Sequence, residues 1–385
     1  MEQNIEAVGL AALGLFSGAR QYENFSRIRS FVSTKTMQPS SVPFDFPDGE
    51  PIDLPETYSC RGETRSLPGL LEDTDTAALL VLKDGAVRYE QYYLTGGREV
   101  PWLSMSVAKS FLSALIGIAL AEGAIASLDD PAERYAPFLK GSGYEGVSIR
   151  NILQMSSGTR WREDYVDPES EIFGLNGAMA PGGSHDDFLA TMVRETTPGT
   201  LCQYNSADTQ ALGAILVGAT GRSVADYMQE KICEPLGMEA PSFWIQDSRG
   251  MELAYAGLLM TARDFAKLGE LYRKRGAWEG RNIVPADYVD ASLTIAAPHL
   301  AVGQPLVGGY HFPLGYGYQW WFPDGDIGEF SAIGVYNQYV YVDPSRGVTI
   351  VKLSANPRYG LSHDDEDNKD AENIQAFRSI CSLFD

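Results

Sequence analysis

Cysteine and histidine are scarce, with four of each in 385 residues. Cys60, Cys202, Cys233 and Cys381 lie far apart, with no C-x-x-C pair and no Cys/His cluster, so zinc and thioredoxin-like chemistry have no support. Their sparse spacing in a chain of this size points to free thiols in a reducing compartment, hence a cytoplasmic protein. Positive charge is also short. Thirty Lys and Arg face 51 Asp and Glu, a net charge of −21. Such a chain is repelled by phosphate backbones and anionic membranes, so neither nucleic acid nor membrane is an expected partner. Long apolar runs are missing. The run at 7–16 is too short to cross a bilayer, and it is preceded by Glu2 and Glu6 where a secretory signal would carry basic residues. A short buried helix is expected there. No G-x-x-x-x-G-K-[ST] or G-x-G-x-x-G follows a strand, so no nucleotide cofactor is expected.

What remains is globular: 44% hydrophobic and 21% charged, long enough to bury a core without disulfide or metal staples. Pro39, Pro43, Pro47, Pro51 and Pro55 break up the early chain, so residues 17–70 are expected to be irregular. Residues 1–70 then form an arm wrapped over one catalytic domain, 71–385. That domain opens with a hairpin, 77–83 and 87–94 around Asp84-Gly85. It closes with strands 338–342 and 348–353 and a helix over about 370–383. Between them the pattern is helical: 207–220 stopped by Gly221, 224–232, and a helix opened by Thr261-Ala-Arg-Asp264. Strands at both ends with helices between them predict an α+β fold. A central antiparallel sheet is flanked by helices, with a mainly helical insertion at about 123–254. The acidic run His363-Asp-Asp-Glu-Asp367 lacks the spacing and glycine of a metal loop and reads as a solvated loop, so no metal is expected.

The segment 104–122 carries the chemistry. Apolar residues point in every direction through Ala121, so the helix is buried on all sides. Lys109 is the only charge from Val107 to Ala121. Burying an unpaired ammonium is costly, and burial pulls a lysine's pKa down toward a usable base. Ser106 lies three residues before Lys109, on the same helical face. Of the nine lysines, only Lys109 has serine at that spacing. The helix start also supplies free N–H groups for an oxyanion. The bland alternative is a lysine snorkelling its amine to the surface. Tyr204-Asn-Ser206 ends a loop before the helix from 207. Ser206 reads as a helix N-cap, and Tyr204 as packing or, beside a serine–lysine pair, as a proton relay. No G-x-S-x-G elbow is present and His185, His299, His311 and His363 sit in no catalytic context, which disfavours a Ser-His-Asp triad.

Ser106-x-x-Lys109, Tyr204-Asn-Ser206 and Ser331-Ala-Ile-Gly334-Val335 resemble the three motifs of the serine β-lactamase and penicillin-binding-protein superfamily. Leu103-Ser-Met-Ser-Val-Ala-Lys-Ser110, Glu163-Asp-Tyr-Val-Asp-Pro-Glu-Ser-Glu171, Thr261-Ala-Arg-Asp264, Gln319-Trp-Trp321 and Gly334-Val-Tyr-Asn-Gln338 are similar to the branch of 6-aminohexanoate-dimer hydrolases and carboxylesterases. The motifs run in family order from about 75 to 355. The resemblance implies a β-lactamase/transpeptidase-like fold and an acyl-enzyme mechanism. Ser106 is then the nucleophile, Lys109 the base and Tyr204 the relay, with backbone N–H groups of Ser106 and Val335 as the oxyanion hole. Tyr165, Asn176, Tyr255 and Tyr336 become substrate contacts, and Trp161, Trp320 and Trp321 candidate pocket walls. The branch's best amidases carry an acidic residue where Asn176 stands and an amide where Tyr255 stands. Both departures weaken the expectation of strong amidase activity. Ala332-Ile333-Gly334 lacks the lysine and hydroxyl of a Lys-Thr-Gly motif, which argues against binding a β-lactam carboxylate. The expected partner is a small ester or amide, without cofactor. A homodimer stays open. The rival readings are a β-lactam-binding or β-lactam-hydrolysing enzyme and a non-catalytic binding relative.

Overall fold

A computed structural model describes residues 13–385. The expected helix over 7–16 falls mostly outside that range; its last four residues form a turn, with Leu13 buried. The central sheet has seven strands: β1 (Ala78–Lys83), β2 (Ala86–Tyr92), β3 (Gly315–Tyr316), β4 (Trp321–Phe322), β5 (Phe330–Gly334), β6 (Gln338–Asp343) and β7 (Val348–Leu353). Their order across the sheet is β3-β4-β5-β6-β7-β1-β2, and every neighbouring pair is antiparallel. The sheet is therefore assembled from both ends of the chain.

The middle strands β6 and β7 are buried along their whole length, and mostly apolar, because both faces are covered. Alternation along β1, β6 and β7 divides them between two cores. Leu80, Leu82, Val340, Val342 and Val351 join the core that contains helices α1 (Ala108–Ala121), α2 (Ser206–Thr220) and α3 (Ala262–Arg273). Leu79, Val81, Tyr339, Tyr341 and Ile350 face the other core, shared with helix α4 (Asp370–Cys381). Phe377 of α4 lies edge-on to Tyr339, ring centroids 5.1 Å apart.

Residues 17–70 are more regular than expected. They hold a helix (Tyr22–Arg27), a strand (Thr34–Met37) and a hairpin (Thr57–Cys60 with Glu63–Ser66). The strand pairs with Ser242–Ile245 in a small four-stranded sheet, a partner some two hundred residues away that local patterning does not reveal. The proline-rich 38–56 holds no helix and no strand beyond a single bridge at Asp48. The helix expected over 224–232 gives way after Val224–Met228 to a widened turn, Gln229–Cys233. Residues 331–334 lie in strand β5, one turn before β6.

Candidate active site

Ser106 sits where a short 3-10 turn, Met105–Val107, feeds into α1. Met105 is left-handed, φ +45°, an uncommon conformation for a side chain of this kind, and it bends the chain sharply just before the serine. β5 ends against this bend. A Cβ at Gly334 would stand 2.7 Å from the Ser104 carbonyl oxygen and 2.9 Å from the Ser106 nitrogen, so only glycine allows the approach. That contact sets Val335 beside Ser106. The β5–β6 turn continues through Tyr336 and Asn337, both left-handed. It is clamped by the Gln338 amide, which donates to the carbonyls of Tyr336 (3.1 Å) and Ser354 (2.6 Å).

Lys109 is 1% exposed. Its Nζ is 2.8 Å from Ser106 Oγ, 3.0 Å from Ser206 Oγ and 2.9 Å from the Tyr255 carbonyl oxygen. Among the described residues, no carboxylate touches it. Burial pushes its pKa down to about 8, against a smaller upward pull from Glu163. In the neutral amine, the form that can take a proton, the three contacts divide as follows. The Tyr255 carbonyl can only accept, so it takes one N–H. Ser206 gives its hydroxyl proton to Glu163 Oε1 at 2.8 Å, so it must accept the second N–H. The lone pair is left for the Ser106 hydroxyl.

Ser206 is not the helix cap that its position suggested. Asn205 caps α2, its side chain accepting from the N–H of Ala207 at 2.8 Å and of Asp208 at 3.2 Å, which frees the Ser206 hydroxyl for this relay. Glu163 was not singled out by the sequence reading. Its carboxylate accepts from Ser206 Oγ, the Ser206 N–H, Trp161 Nε1 and the Tyr165 hydroxyl, all within 2.9 Å. The signal was available: Trp161, Glu163 and Tyr165 alternate, and in an extended segment alternate residues share a side.

The Tyr204 ring packs at a tilt against Trp321, centroids 5.1 Å apart, and Lys109 Nζ lies 5.0 Å from its ring centre. Burial and the Glu163 charge raise its phenol well above its ordinary pKa, with Ser106 pulling it back in part. It is therefore protonated at neutral pH and able to donate.

Ser106, Glu163, Tyr165 and Val335 separate two cavities. One is an open cleft of about 610 Å³ with Tyr204, Trp321, Ile333, Asp164, His363 and Asp370 on its walls. His363, expected in a solvated loop, bridges its mouth to Asp164, Nε2 to Oδ1 2.9 Å. Burial lifts the Asp370 carboxyl to about 7. The other is an apolar pocket lined by Leu103, Ile172, Leu253 and Tyr255, with Asn176 at its wall. The Tyr255 hydroxyl donates to Asn176 Oδ1 at 2.7 Å. Ser106, Lys109, Tyr204, Val335, Tyr165, Asn176 and Tyr255 are thus brought together. Tyr336 is not: it is 1% exposed and lines neither cavity. Trp320 is fully buried against Tyr272 and Phe330, and Trp161 acts behind Glu163.

Residues 67–373 match the family model named Beta-lactamase. The chain belongs to the beta-lactamase family. It is 31% identical over 304 residues to the 6-aminohexanoate-dimer hydrolase of Paenarthrobacter ureafaciens, covering 76% of both chains. A Bacillus anthracis structure bearing the provisional name 6-aminohexanoate-dimer hydrolase superposes with TM-score 0.82 at 25% identity, over 94% of each chain. A family VIII carboxylesterase shares the fold, with TM-score 0.60 at 14% identity over 80% of this chain and 92% of that one. The protein is a hydrolase of this serine beta-lactamase-like family, with the expected α+β architecture. Among the described residues, no helix is long and apolar enough to cross a membrane.

Proposed function

We propose that this protein hydrolyses small esters, and amides more slowly, through an acyl-Ser106 intermediate. The observation that carries the reading is the three-way contact of Lys109, which in the neutral amine leaves the lone pair for Ser106. Ser106 Oγ attacks the substrate carbonyl while Lys109 takes its proton. The oxyanion is held by the N–H groups of Ser106 and Val335. The tetrahedral centre collapses and the bond to the leaving group breaks. The proton reaches the leaving oxygen or nitrogen through Tyr204, which returns to its protonated form by drawing on Lys109. Water then attacks the acyl group, the acid departs, and Ser106 recovers its proton. Glu163 is a positioning residue: it orients Ser206, and through Ser206 the amine.

The ester preference rests on the apolar pocket. Asn176 is neutral and its carbonyl is engaged by Tyr255, while the Glu163 carboxylate is saturated with donors. Among the described residues, no free carboxylate is left there to hold the ammonium of an aminohexanoyl group. The open cleft carries the carboxyl groups of Asp164 and Asp370, and its described lining offers no lysine or arginine to a β-lactam carboxylate where Ala332-Ile333 replace lysine and threonine.

The test is a parallel assay of the protein and its Ser106→Ala variant. Phenol release from p-nitrophenyl butanoate and amine release from the linear 6-aminohexanoate dimer are followed. Serine-dependent ester cleavage with at least tenfold less amide cleavage is expected. Turnover that survives in Ser106→Ala overturns the mechanism, and equal amide turnover overturns the preference.

A further inference from the structure

The apolar pocket is not closed by the family-matched part of the chain alone. Leu13, Leu15 and Phe16, upstream of the matched residues 67–373, line it together with Ser106. We propose that this N-terminal segment is the wall of the acyl subsite and that Phe16 sets the length of acyl chain the enzyme accepts. This deepens the hydrolase reading above and rests on it.

The segment is built into place. The Phe16 ring is sandwiched between Tyr165, centroids 4.3 Å apart and 20° between planes, and Tyr336, 5.2 Å and 19°. Its backbone N–H donates to the Tyr336 hydroxyl at 2.7 Å. Tyr336, expected at the substrate, instead supports the residue that lines the pocket. Gln21, fully buried, reaches back with its amide to the carbonyls of Leu13 (3.0 Å) and Gly14 (3.3 Å). Gly14, Phe16 and Gly18 are all left-handed, at φ +58°, +60° and +76°, and a non-glycine residue holds that conformation only where its surroundings dictate it. Gly360 makes room for the ring: a Cβ there would come within 2.5 Å of Phe16 Cδ1.

The chemistry assigns the two cavities. A proton donor and the group it protonates must share a side of the scissile bond. Tyr204 lines only the open cleft, so the leaving group lies there. The acyl chain is left with the apolar pocket, whose lining of leucine, isoleucine and aromatic side chains suits an uncharged alkyl group. A chain that outgrows the pocket meets the N-terminal wall. Each methylene accepted or refused by such a pocket changes rates by about tenfold or more.

The experiment compares kcat/KM for p-nitrophenyl esters from acetate to octanoate in the full chain and in Phe16→Ala and Phe16→Leu. The octanoate-to-butanoate ratio should rise about tenfold in Phe16→Ala, with Phe16→Leu between the two. A second ladder does not need turnover. Calorimetric titration of methyl butanoate and methyl octanoate into Ser106→Ala, with and without Phe16→Ala, should show the same change in the ratio of affinities. Ratios unchanged within about twofold in both ladders, in variants whose near-ultraviolet circular dichroism matches wild type, overturn the proposal. If no ester is cleaved while the affinity ratio still shifts, the hydrolase reading fails and the wall stands.

Discussion

Two helices of this molecule each bury a lysine beside the residue three positions before it. On α1, Lys109 meets Ser106. On α3, Lys267 meets Asp264 at 2.9 Å, with Glu239 at 3.3 Å and the Gly237 carbonyl at 2.6 Å. Both lysines are sealed from water, 1% and 0% exposed. One has only neutral partners and is pushed down to about 8. The other sits in an ion pair that ties α3 to the segment 237–240, where Asp264 also accepts from the N–H groups of Glu239 and Ala240. Equal burial thus goes with a lowered pKa in one place and an ion pair in the other. The residue at the i−3 position decides which, because a carboxylate repays the desolvation of an ammonium and a hydroxyl does not.

The strongest way to break this comparison is to remove both amines. Lys109→Met should lower kcat at least a thousandfold on p-nitrophenyl butanoate while leaving the urea midpoint level or higher, since an unpaired buried amine is replaced by an apolar chain. Lys267→Met should do the reverse to the fold, costing about 3 kcal/mol in urea denaturation because Asp264 loses its counter-charge. Equal stability losses in the two variants would erase the distinction. A smaller effect comes from Ser206→Ala, which removes one neutral partner of Lys109 and the orienting link to Glu163. A loss of about 1–2 kcal/mol of transition-state stabilisation, near tenfold in kcat/KM, is expected from steady-state kinetics. The subtlest prediction is on pH. The neutral amine is the active form, so kcat/KM should rise with pH through about 8 and then level. Glu163 favours the protonated amine, so Glu163→Gln should move that rising limb to lower pH. A limb that stays put or moves up would remove Glu163 from the electrostatics of the base.

The juxtaposition of the proposed nucleophile and base was legible because their relation is local. A three-residue spacing on a helix is a fixed geometry, and a lone charge in an apolar helix advertises its own anomaly. The sheet strands were legible too, since β6 and β7 keep apolar residues on both faces. The roles of Ser206 and Tyr336 were not. Asn205 and Ser206 are both good helix caps, and which residue takes the cap is settled by one residue of register. Tyr336 lies next to Val335 in sequence, yet its left-handed turn sends the ring under Phe16 instead of toward the substrate side.

The sequence by itself determined the chemistry: an isolated lysine, a serine one helical turn before it, a tyrosine in a loop, and the order in which they occur. These follow from spacing and desolvation, which act along a few residues. Tertiary structure alone decided the surroundings of that chemistry. Glu163 is aligned through Ser206, and Asp164 joins His363 across 199 residues. An N-terminal turn seats Phe16 between two tyrosines more than a hundred residues from it and from each other. Contacts of that range are made by the folded chain as a whole, because no local pattern records which distant side chain will fill a given space.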